Sequence, residues 1–234
     1  MSKFSDTIKY FYYHILPHTY PFGSLLYIII GLLFPSKAKS IAIIGTKWAG
    51  KTTLWKGLGG IKEYKPNTQV EPIQSFTITR ANGTTVVISH TYDIGGEDDY
   101  VCEYEKLIKE DTFIYYLVDA NRITLHDYLV RVRSDLVKID KIVKSKKIPE
   151  DKLGFKFIIT HYYDYTKSNP FNSEYELYRQ FLNGLKGSEG RGVIGKRLTV
   201  DNYSKIMMVA ELDPQKAAYL KKNYIDIIKN EIGA

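Results

Sequence analysis

Between Ile41 and Leu54 the chain reads IAIIGTKWAGKTTL, and no other stretch narrows its possible folds as far. Ile41–Ile44 is a short unbroken apolar run, the pattern of a strand buried on both faces. Gly45 and Gly50 bracket four residues, Lys51 and Thr52 follow, and the chain from Thr52 to about Leu58 suits a helix that Gly59-Gly60 ends. A strand, a glycine-bracketed loop Gly45–Lys51 and a helix, in that order, make the phosphate-binding pattern called the P-loop. Glycines let the backbone curl until several N–H groups converge on one phosphate, and the helix N-terminus adds partial positive charge. Residues Gly45, Thr46, Lys47, Trp48, Ala49, Gly50, Lys51, Thr52 and Thr53 are therefore candidate nucleotide contacts. Lys51 would reach the β- and γ-phosphates, and the Thr52 hydroxyl would take one position on Mg2+.

With 234 residues the chain has room for one α/β domain and an addition, but is short for two domains. Its single cysteine, Cys102, excludes internal disulfides. The 33 basic and 26 acidic residues leave a mild +7, which suits an anionic membrane or an anionic nucleotide. No dense basic run points to nucleic acid, and the five histidines show no metal-ligand spacing.

The addition is N-terminal. Residues 10–36 contain no Asp, Glu, Lys or Arg, and Ser24–Phe34 is almost wholly apolar. Pro21 and Pro35 bracket a helix over 22–34, short of the roughly 20 apolar residues a spanning helix needs. Tyr10, Tyr12, Tyr13 and Tyr20 crowd one side, as aromatic residues do at a membrane interface. Lys37 and Lys39 follow, which would put the rest of the chain on the cytoplasmic side. Two readings stand: a membrane anchor, spanning or re-entrant, and a hydrophobic hairpin packed on protein. The expected division is a membrane-associating segment over 1–39 and a P-loop domain over 40–234.

Beyond the P-loop helix, Lys62–Pro72 is a polar loop. Ile73–Arg80 and Thr84–Asp93 alternate as strands around Asn82-Gly83, a hairpin signal. Phe113–Val118, Phe155–Thr160 and Ile206–Ala210 read as buried strands. Asp98–Lys109, Thr124–Lys146, Ser173–Leu185 and Pro214–Ile232 read as helices, with Ser173 as N-cap and Glu176 three residues on. The expectation is an α/β fold: a six-stranded, mostly parallel sheet with one antiparallel strand and helices on both faces.

A second chemical site is Asp93-Ile94-Gly95-Gly96-Glu97. An acid ending a strand beside the P-loop strand would hold Mg2+, and the Gly96 N–H could approach the γ-phosphate.

With AGKTTL (Ala49–Leu54) and DIGGE (Asp93–Glu97) the sequence resembles the Ras-like small GTPases, within them the ADP-ribosylation-factor-like branch. It is also similar to the signal recognition particle receptor β subunit, which carries a membrane segment ahead of its GTPase domain. The resemblance covers about residues 40–232 and implies binding and Mg2+-assisted hydrolysis of GTP to GDP, with a protein effector or complex partner. It implies that Thr68 binds Mg2+ and senses the γ-phosphate. It implies that Asp164 accepts hydrogen bonds from guanine N1 and N2, and that the Ala210 N–H meets guanine O6.

Three departures qualify it. The family's Asn-Lys-x-Asp is here His161-Tyr162-Tyr163-Asp164; Tyr162 could still stack on a base, but guanine preference is open. The family's water-orienting glutamine is Glu97, a carboxylate that accepts but cannot donate, so slow hydrolysis is expected. The loop carries Lys47 and Trp48 where small residues are common. Lys47 either supplies charge in cis or meets solvent or a partner; the ordinary behaviour of surface lysines favours the second. A nucleotide-holding module without turnover, and a P-loop ATPase, are the competing readings.

Overall fold

The computed structural model describes residues 39–61, 70–96, 102–170, 173–186, 194–195 and 203–232. In chain order the strands are β1 (Ser40–Gly45), β2 (Val70–Ile73), β3 (Phe76–Thr79), β4 (Thr85–Ile88), β5 (Thr91–Ile94), β6 (Thr112–Asp119), β7 (Gly154–Thr160) and β8 (Met207–Val209). The helices are α1 (Lys51–Leu58), α2 (Tyr104–Leu107), α3 (His126–Ser145), α4 (Tyr162–Ser168), α5 (Glu174–Gly184), α6 (Tyr203–Ile206), α7 (Pro214–Tyr219) and α8 (Tyr224–Glu231).

The central sheet is parallel, in the order β1-β6-β7-β8. It has four strands rather than the six expected. The hairpin around Asn82-Gly83 forms instead two separate antiparallel pairs, β2 with β5 and β3 with β4. Both pairs keep one register, so this is a single hairpin interrupted at 74–75 and 89–90. The other edge of the return strand meets the start of β1. The Ser89 N–H donates to the Lys39 carbonyl and the Lys39 N–H to the Val87 carbonyl, tying the return strand to the residue before β1. Two residues further on, the Thr91 hydroxyl donates to the Ile41 carbonyl at 3.2 Å, a side chain standing where a backbone amide would extend the ladder.

The apolar runs Ile41–Ile44, Ile114–Val118 and Phe157–Ile159 are buried throughout, as strands covered on both faces must be. Alternation along β6 sorts the two faces. Tyr116 donates to Asp135 of α3 at 2.7 Å, whereas Tyr115 has Glu231 of α8 as its charged neighbour. On one face Ile225 of α8 lies where a Cβ at Gly57 of α1 would stand, 2.6 Å away. On the other, Phe181 of α5 meets Phe157 edge-on with ring centroids 5.1 Å apart.

Ser173 does cap α5, its side chain accepting from the Glu176 N–H. The single helix expected over 214–232 is two. Lys221 takes a left-handed φ of 52°, and Asn223 starts α8 by accepting from the Asp226 N–H. Among the described residues no helix is long and apolar enough to cross a membrane. The helix expected over 22–34, Thr68 and Glu97 all lie outside the described residues.

Candidate functional site

β1 delivers the chain to Gly45, whose Cβ, if it had one, would stand 2.2 Å from the Leu117 carbonyl oxygen of β6. Only glycine fits there, at φ 135°. The loop then turns over Thr46–Ala49 and enters α1 through Gly50, the N-cap, at φ 86°. Trp48 takes φ 63°, a left-handed conformation that costs a non-glycine residue about 1–2 kcal/mol, and its side chain is 73% exposed. Lys47 is exposed beside it, its ammonium 5.2 Å from the Trp48 ring centroid. Ala49 is buried, and Thr53 is half-buried on α1.

The buried Lys51 folds back over the loop. Its Nζ donates to the Gly45 carbonyl at 3.1 Å and the Thr46 carbonyl at 2.8 Å. An ammonium has three N–H groups, and among the described residues two find acceptors, which leaves one for a ligand in the loop. Burial lowers the Lys51 pKa from 10.5 to about 8, against the opposing pull of Asp93 and Asp135.

Asp93 near the end of β5 is almost wholly buried. Its Oδ2 accepts from the Thr52 hydroxyl at 2.7 Å, while its Oδ1 is buried and has no hydrogen-bond partner among the described residues. Burial raises the Asp93 pKa, with Thr52 and Lys51 opposing the rise. A buried carboxylate oxygen without a donor, next to a hydroxyl and an ammonium, is an arrangement that suits a hard divalent cation. Lys51, Thr52 and Asp93, expected together from sequence, are brought together.

Gly96 packs directly on this loop. A Cβ on it would stand 2.3 Å from the Lys47 amide nitrogen and 2.5 Å from the Thr46 carbonyl carbon. Its own carbonyl accepts from Arg131 Nη2 of α3 at 3.1 Å, and Arg131 Nε lies 3.7 Å from the fully buried Asp135. Tyr128 of α3 supports the loop from below. Its hydroxyl accepts from the Asp119 N–H at 2.6 Å and shares a hydrogen bond with Thr46 at 2.7 Å. Burial pushes the Tyr128 hydroxyl up to about 12, so it stays protonated.

The other end of the site is built from the loops after β7 and β8. His161 takes φ 57° and places Nε2 3.1 Å from the Trp48 carbonyl. A carbonyl only accepts, so this nitrogen carries the proton. The Thr160 hydroxyl also donates toward the loop, 3.0 Å from the Ala49 carbonyl. Asp164, on α4, is partly exposed, and its Oδ2 pairs with Lys216 Nζ of α7 at 2.7 Å.

Two expectations fail here. The Ala210 N–H donates to the Ile159 carbonyl at 2.8 Å; it continues the β7–β8 pairing and is not offered to a base. The Tyr162 ring is 9% exposed and stacked beside Tyr165 at 6.5 Å, so it packs in the core rather than standing ready to stack on a ligand. Nearby, the half-buried Tyr163 stacks on the exposed Tyr219 with ring centroids 5.5 Å apart.

One residue was missed. Glu211 is 3% exposed, and its carboxylate accepts from the Tyr163 N–H and the Asp213 N–H, both at 3.1 Å. It thereby locks the two loops to each other. Next to it, Leu212 reaches Gly50, its Cδ1 2.9 Å from where a Cβ would stand.

No family model matches the sequence, and no curated protein matches it. Solved structures match the fold. A dimerization-deficient mutant of Toc33 from Arabidopsis thaliana superposes with a TM-score of 0.52 at 12% identity, over 89% of this chain and 88% of that one. Toc33 in complex with GDP and Mg2+ gives 0.50 at 15% identity, over 90% and 89%. Toc33 in complex with Mg2+ and GMPPNP gives 0.50 at 14% identity, over 90% of each chain. The chain shares the α/β fold of these structures, with a parallel sheet between helices.

Proposed function

We propose that this chain is a guanine-nucleotide switch of the small-GTPase type, which binds GTP with Mg2+, hydrolyses it slowly and associates with a membrane through residues 10–36. The observation that carries the proposal is the Lys51–Thr52–Asp93 cluster, with a buried Asp93 oxygen that no donor among the described residues satisfies. That Toc33 binds GDP, GMPPNP and Mg2+ on the same fold supports it. AGKTTL and DIGGE favour the ADP-ribosylation-factor-like branch.

In this reading the loop amides and the remaining N–H of Lys51 bind the phosphates, and Thr52 and Asp93 hold the cation, joined by Thr68. When bound, Mg2+ neutralises charge on the β- and γ-phosphate oxygens. Water attacks the γ-phosphorus, the bond to the bridging oxygen of GDP breaks, and inorganic phosphate leaves. Glu97 orients the water but has no proton to offer the phosphoryl oxygens, so turnover is slow. Asp164 reads the base, and His161 holds that loop to the phosphate loop. Ordering of the Thr68 and Gly96 segments around GTP, and their release after cleavage, is the signal to a protein effector.

A second reading is a module that keeps its nucleotide without turnover. The Gly96 segment packed on Thr46–Lys47 and held by Arg131 favours it. One experiment covers both readings and the membrane. The full chain is loaded with GTP, mixed with vesicles containing anionic lipid, sedimented, and followed through a single turnover. The switch reading expects protein in the pellet and slow, complete conversion to GDP. Intact GTP would move the assignment to the holding module, and protein left in the supernatant would remove the membrane part.

A further inference from the structure

Asp164 is the residue on which base recognition depends in the reading above, and it is not an open carboxylate. Lys216 Nζ sits 2.7 Å from Oδ2, and among the described residues Oδ1 accepts no hydrogen bond. The pairing is built into the fold. Lys216 lies in the first turn of α7, whose N-cap Asp213 accepts from the Gln215 and Lys216 N–H groups. Glu211, nearly fully buried, then accepts from the Asp213 N–H and from the Tyr163 N–H. One carboxylate thus fixes both the cap of the helix that carries Lys216 and the residue preceding Asp164. Asp213 and Glu211 are the other charges near the Lys216 ammonium.

Chemistry follows from the count of acceptors. An open carboxylate offers two oxygens side by side, matching the two adjacent donors of guanine, N1–H and the 2-amino group. Here an ammonium already occupies one of the two lone pairs of Oδ2 and draws charge from it, so that Oδ2 is a weakened second acceptor and Oδ1 alone keeps its full strength. A purine that has N1–H but no 2-amino group, hypoxanthine, then gives up little.

We propose that Lys216 is a specificity residue that widens this base site from guanine alone to 6-oxopurines, so that inosine nucleotides bind nearly as well as guanine nucleotides. The inference rests on the reading of Asp164 as the base-recognition residue, and its test separates the two.

The full chain is titrated with GDP, IDP and ADP in competition with a fluorescent GDP analogue, as wild type, Lys216→Met and Lys216→Arg. With side chains 35% and 41% exposed, the ion pair contributes little to stability, so the variants should melt with the wild type. Wild type is expected to bind GDP and IDP within about threefold of each other, and Lys216→Met to favour GDP by about tenfold, the size of one recovered hydrogen bond. Lys216→Arg, which keeps the cation, should keep the wild-type ratio. A wild type that already favours GDP tenfold, or a ratio unchanged in Lys216→Met, overturns the proposal and leaves Asp164 as the base residue. ADP binding as tightly as GDP overturns both.

Discussion

Lys51 carries its charge where burial opposes it, with a pKa lowered to about 8. Phosphate binds the protonated form, so a bound nucleotide raises that pKa again. The sign is fixed by this: below about pH 8 free and bound proteins both hold the proton and affinity is flat, while above it binding must take up a proton. Nucleotide affinity should therefore fall by up to about tenfold per pH unit above pH 8. A titration of binding constants from pH 6.5 to 9.5 checks it; a flat profile would mean that Lys51 keeps an ordinary pKa or does not meet the phosphates. Residue types whose chemistry is local were legible in the sequence: Lys51, Thr52 and Asp93 meet as their motifs require. Ala210 was misplaced because one residue of register decides whether an amide serves the sheet or the site, and register is not written in a three-residue strand. Glu211 was missed because a glutamate after a strand reads as solvated; only the fold reveals the two amides that hold it.

At the scale of elements, three pieces converge on the phosphate loop: α3 from below through Tyr128, the segment after β5 through Gly96, and the loop after β7 through His161. Gly96 is the tightest of these contacts, because what a side chain would strike is backbone and cannot turn aside. Gly96→Ala should lower stability by about 1–3 kcal/mol, read as an earlier urea midpoint with an unchanged slope. An unmoved midpoint would mean that this segment does not rest on the loop in solution. Element types were largely legible, since α3 lies where the apolar spacing put it and α5 starts where Ser173 and Glu176 marked a cap. The hairpin's division was not, because it falls at residues 74–75 and 89–90, inside runs whose alternation continues unbroken. The break before α8 was marked only by Asn223, a cap that looks like any polar residue inside a helical pattern.

Across the whole molecule, the alternation of strands and helices foretold a parallel sheet between helical layers, and the sheet and its order deliver it. The site then sits beyond the C-terminal ends of β1, β5, β7 and β8, where open α/β sheets bind ligands. Phosphate chemistry at one end rests on a loop the sequence spells out, and base chemistry at the other on Asp164, Lys216 and Glu211, whose relations it does not. The base end therefore decides which nucleotide the chain takes. The most direct test is competition of GTP, GDP and ATP, each with Mg2+, for the full chain. GTP and GDP should compete at concentrations at least about a hundredfold below ATP, as a site built to hydrogen-bond N1–H would require. ATP competing as well as GTP would contradict it, and would leave a P-loop fold whose base site serves another chemistry.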